Sequence, residues 1–138
     1  MMRLVNQADS LHLTPPQQKD VLDYAKSLPR RFAAVRAVEK GEDKLIEAAL
    51  GLWKGTADPA AVGWSDPAGD LRAVVRAAAL GAVLDDPEYA DLRAAGTVRR
   101  TLEFLDLAPD AVDALFDSLR AAAEGVLPPD AAELFGEY

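Results

Sequence analysis

Prolines set beside capping residues constrain this chain more than any other feature. Thr14-Pro15-Pro16-Gln17 joins an N-cap hydroxyl, prolines in a first turn that needs no amide hydrogens, and a glutamine at the capping-box position. The device recurs at Asp66-Pro67, Asp86-Pro87, Pro109-Asp110 and Pro129-Asp130. Apolar residues at helical spacing follow each of them, and no run of consecutive β-branched residues offers a strand. The expectation is an all-α protein of about eight helices, two or three of them short.

In chain order, the first capped helix is expected from Thr14 to about Ser27, burying Val21, Leu22, Ala25 and Leu28. Ser27-Leu28-Pro29 reads as a restart into a second helix with Phe32, Val35 and Val38, ended by Gly41. A third carries Leu45, Ile46, Ala49, Leu50 and Trp53. Gly55 to Gly69 reads as a loop near any site the protein has. Asp66-Pro67 opens the helix expected to be longest and central, with Leu71, Val74, Val75, Ala78, Ala82 and Val83 on one face. A short helix to about Ala95 is separated by Gly96-Thr97 from another through Leu102 and Leu105. The clearest amphipathic helix follows Pro109, with Val112, Leu115, Phe116, Leu119 and Ala123 inward, and a last one buries Leu134 and Phe135.

At 138 residues the chain is expected to form a single domain, 1–138. A net charge of −8 repels phosphate backbones and anionic headgroups, so neither nucleic acid nor membrane insertion is expected. No apolar window is long enough to span a bilayer, and Met1-Met2-Arg3 opens no signal-type segment, so a cytoplasmic location is expected. With no cysteine there is no disulfide, thiolate metal site, cysteine nucleophile or thioether attachment.

Leu71-Arg72-Ala73-Val74-Val75-Arg76, followed ten residues later by Asp86-Pro87, resembles the central helix of phycobiliprotein subunits. Val5-Asn6-Gln7-Ala8-Asp9 is similar to the end of that family's projecting first helix, and Leu13 to Ser27 to its second. The segment from Leu105 to Pro128 and the tail from Asp130 to Tyr138 resemble its closing helices. The resemblance implies a globin-like phycobiliprotein fold, with an N-terminal helical hairpin (1–28) used for pairing and a globin-like core (29–138). It also implies a non-catalytic subunit of a homo-oligomer, or one that pairs with a related phycobiliprotein-like subunit. Family members attach a linear tetrapyrrole through a cysteine three residues before an aspartate that holds the pyrrole nitrogens. By spacing from Arg76 that aspartate is Asp70, and Pro67 stands at the cysteine position. No covalent bilin is therefore expected, and Asp70 is a relic of the pigment site. The family's aspartate-arginine contact between subunits maps onto Asp9 and Arg76.

Each of these residues also has a plainer reading. Asp70 lies in the first turn of a helix, where the dipole favours a carboxylate, and Asp9 and Arg76 are equally readable as solvated charges. His12, the only histidine, precedes a helix cap, so no haem is expected. Carboxylates alone make a poor zinc site, so no metal is expected. Glu42-Asp43 and Asp85-Asp86 sit at expected helix boundaries and suggest no acid-base pair, so no catalytic residue is assigned. Trp53 and Trp64 either line a cavity or close the core. Two alternatives remain open: a haem-free sensor globin domain that binds an apolar ligand and signals through a dimer, and a repeat-type helical adaptor.

Overall fold

The computed structural model describes residues 13–54 and 58–137, and among these the chain is all-α without a strand. Six α-helices follow in order: α1 Pro15–Trp53, α2 Pro59–Val62, α3 Pro67–Leu84, α4 Gly96–Phe104, α5 Pro109–Val126 and α6 Pro129–Gly136. A five-residue π turn, Asp91–Ala95, leads into α4. Among the described residues the count is six and not eight, mainly because three expected helices are one. The helix expected around Val5–Asp9 lies outside the described residues.

α1 begins as expected, with Thr14 N donating to Gln17 Oε1 at 2.8 Å in a reciprocal capping box. It then runs through Pro29, which removes one helical donor and normally costs about 3 kcal/mol. Contacts to the end of α3 hold the helix on both sides of that proline. The Tyr24 hydroxyl donates to the Val83 carbonyl, and Arg31 donates to that of Ala82. These last-turn carbonyls lack intrahelical partners, and a cation beside them also suits the helix dipole. Gly41 does not end the helix either. A Cβ there would lie 3.1 Å from Val126 Cγ1, so glycine permits α1 to cross closely over α5.

Thus α1, at 39 residues, is the longest helix and α3 is not. Its length of about 58 Å at 1.5 Å per residue exceeds the core. No residue of its first half, 15–33, is buried; Val21 and Leu28 are half-buried and Leu22 is 58% exposed, against the expectation that this face is inside. Its buried residues begin at Ala34, and the helix packs on α3, α5 and α6.

Gly96 does not separate two helices. Helix runs from Tyr89 to Phe104, widened where the Gly96 amide donates to the Asp91 carbonyl five residues back. A Cβ on Gly96 would stand 2.7 Å from that oxygen, so the turn closes only around glycine. The expected loop contains the short α2, capped by Asp58 and ended by Gly63 at φ 81°. The core gathers Leu45, Trp53, Leu71, Val75, Leu102 and Leu115, all fully enclosed, among many alanines that let the helices approach closely.

Candidate functional site

Where α1 packs along α3, charged and apolar side chains of both helices meet at the surface. Because α1 is continuous through Gly41, Glu42 and Asp43 lie within the helix and face Arg72 and Arg76, one turn apart on α3. Arg76 Nε donates to Glu42 Oε1 at 2.8 Å and Nη2 to Oε2 at 3.4 Å. Arg72 Nη2 donates to Asp43 Oδ1 at 2.8 Å, while its buried Nε is 3.6 Å from Glu42 Oε1, too far for a hydrogen bond. The hydrogen bond to Glu42, then its charge, raises the Arg76 pKa above the ordinary arginine value, so Arg76 is a cation throughout the physiological range.

Beside this charge cluster is an apolar cleft of about 430 Å³ between the helices, lined by Val35, Val38, Ala79, Leu80 and Val83. Leu80 is 51% exposed, and Phe32, one turn before Val35, is 46% exposed. The apolar stripe continues along α1 through Leu28, Ala25 and Val21, beyond the end of α3. From sequence, Val21, Ala25 and Leu28 fall in the pairing hairpin 1–28, while Phe32, Val35, Val38 and Leu80 are named in no site. The signal was present as spacing, but it is hidden when the chain is read as stopping at Pro29 and Gly41.

Of the residues singled out from sequence, Arg76 borders this cleft, bound within its own chain, while Asp9 and His12 lie outside the described residues. Asp70 is elsewhere. Its Oδ2 accepts from Trp64 Nε1 at 2.6 Å, which fastens the α2–α3 connection to the first turn of α3. Trp64 meets Trp53 edge-on at 5.7 Å, and Trp53 Nε1 donates to the Ala111 carbonyl at 2.9 Å, so both tryptophans close the core. The cleft beside Asp70, shared with Arg93 and Thr97, holds about 130 Å³. Pockets for drug-sized ligands run to roughly 300–1,000 Å³, so this cleft is smaller than such a pocket. Pro67 is simply the first residue of α3, with Asp66 Oδ1 accepting from Gly69 N at 3.1 Å as cap.

Among the described residues no group of three histidine, aspartate or glutamate side chains gathers as a metal site, and no helix is long and apolar enough to cross a membrane. No protein-family model matches the chain, and no curated protein is significantly similar to it.

Proposed function

We propose that this chain is a non-catalytic, self-associating helical subunit of phycobiliprotein-like type without covalent bilin, two copies pairing through α1 and α3. The observation that carries the reading is the apolar stripe of α1. It continues through Phe32, which is 46% exposed, to the half-buried Leu28 and Val21 near the end of α3. Most helical stability in proteins comes from covering an apolar face, so an exposed stripe of this kind favours a partner. The unburied half, 19 residues long at 1.5 Å each, reaches about 28 Å, and its apolar stripe adjoins Leu80 and Val83 of α3.

A second copy suits the stripe because a two-fold axis presents the same apolar residues from both sides. The ion pairs Arg72–Asp43 and Arg76–Glu42 within each chain border this surface as its polar rim. The resemblance to phycobiliprotein subunits adds a contact between Asp9 and the partner's Arg76 to this proposal.

Light scattering across a dilution series tests the reading. Wild type is expected at twice the 14.7 kDa chain mass or more, and Phe32→Glu with Leu80→Glu at the monomer mass. Wild type that stays monomeric overturns it and points to the chain's own N-terminal residues as the cover. Asp9→Arg is expected to weaken the dimer, and an unchanged mass removes Asp9 from the contact.

A further inference from the structure

On the other side of α3 a second cavity, of about 210 Å³, opens against the π turn. Val74 and Ala78 of α3, Ala95 of the turn, Leu119 of α5 and Phe135 of α6 form its apolar walls. Two arginines from different helices, Arg99 of α4 and Arg120 of α5, border it as well. Arg99 is held in place: its guanidinium carbon lies 4.2 Å over the Phe116 ring, and Nη1 donates to Asp113 Oδ1 at 3.0 Å. Stacking fixes the plane of the guanidinium, and a guanidinium carries five donors in a rigid fork, so one edge serves Asp113 while another can take a planar anion. Arg120 makes only a 3.3 Å contact with Asp117, both side chains being mostly exposed, and such a pair gives way at little cost.

We propose that this cavity binds a small monocarboxylate with an apolar body, the body against Val74, Ala78 and Phe135 and the carboxylate between Arg99 and Arg120. At roughly 30 Å³ per water the space equals about seven waters, which suits a ligand of about ten heavy atoms. Asp91 and Glu137 also line the cavity, so a second negative charge on the ligand is disfavoured. The net charge of −8 repels any anion at long range, but salt at 0.15 M screens this beyond about 8 Å, so a carboxylate depends on the remaining donors of Arg99 and Arg120 against the nearby Asp91, Asp113, Asp117 and Glu137. The π turn is what shapes the wall: its extra residue per turn sets Ala95 and Asp91 toward the cavity on the same short segment, and such turns recur at functional sites. This inference is independent of the pairing surface, which lies on the α1 side of α3.

Titration calorimetry of the whole chain with octanoate tests it, with octan-1-ol, propionate and octylamine as probes that lack the charge, lack the body or reverse the charge. Octanoate is expected to bind, and the three others at least about tenfold more weakly, since a charge-assisted pair and the apolar body each contribute on that scale. Arg99→Gln and Arg120→Gln should each weaken octanoate about tenfold or more while leaving octan-1-ol unchanged. Gly136→Leu should block the cavity with the arginines intact, because a Cβ at Gly136 meets nothing within 4 Å and the fold accepts it. Circular dichroism of each variant separates loss of binding from loss of fold. No heat with octanoate, octylamine binding as tightly, or unchanged octanoate affinity in folded Gly136→Leu would overturn the proposal.

Discussion

Gly96→Ala is the sharpest test of the packing described above, because the same substitution has opposite signs at different glycines. In an ordinary helix interior alanine is favoured over glycine by about 1 kcal/mol. At Gly51 in α1 and Gly125 in α5 an added Cβ meets nothing within 4 Å, so Gly51→Ala and Gly125→Ala should stabilise by about 0.5–1 kcal/mol. At Gly96 the Cβ would be 2.7 Å from the Asp91 carbonyl oxygen, a backbone atom that cannot swing aside. One response is local strain, costing about 1–3 kcal/mol as in other overpacked sites. The other is to close the π turn to α-helical register, which turns α4 by about 100°. That would carry Val98 and Leu102, now 4% and 0% exposed, out of the core. Losing each costs about 1.5–3 kcal/mol, so strain is the cheaper response. The net expectation for Gly96→Ala is a loss of about 1 kcal/mol, which places it about 2 kcal/mol below Gly51→Ala. For a chain of this size that separates the two midpoints by about 6–10 °C in thermal unfolding followed by circular dichroism. A Gly96→Ala midpoint as high as that of Gly51→Ala would refute the account of the π turn.

Three further outcomes follow from single contacts. Trp53→Phe deletes the hydrogen bond to Ala111 and part of the edge-on contact with Trp64, and urea titration should show a loss of about 2–3 kcal/mol with unchanged m. Asp70→Ala removes the acceptor for Trp64 and a first-turn charge, with a loss of about 1–2 kcal/mol and altered tryptophan fluorescence; unchanged fluorescence would exclude the Trp64 contact. Because Glu42 raises the Arg76 pKa, the stabilisation from that charge is complete below the unfolded arginine value and is lost only as pH rises beyond it. The stability difference between wild type and Arg76→Gln should therefore stay constant from about pH 7 to 10, and a difference that falls across that range would contradict the pairing.

The helix starts were legible in the sequence because they depend on local chemistry. Although the short helix capped by Asp58 reads as loop in the sequence, Thr14, Asp66, Pro109 and Pro129 open helices through hydrogen bonds and dihedral limits within one turn of the chain. So were the inward faces of α3 and α5, which follow from spacing alone. The continuity of α1 was not legible. Pro29 and Gly41 are breakers by local rule, and only donors reaching the end of α3 and the close crossing with Val126 make an unbroken helix the lower-energy choice. The candidate sites share that limit. Arg76 could be singled out by its position, but its partner Glu42 could not, since the two are 34 residues apart and meet only when α1 runs straight. Local sequence determined where helices begin and which faces are apolar. Tertiary packing decided which breakers are overruled and which charges meet, because those outcomes rest on groups distant in the chain.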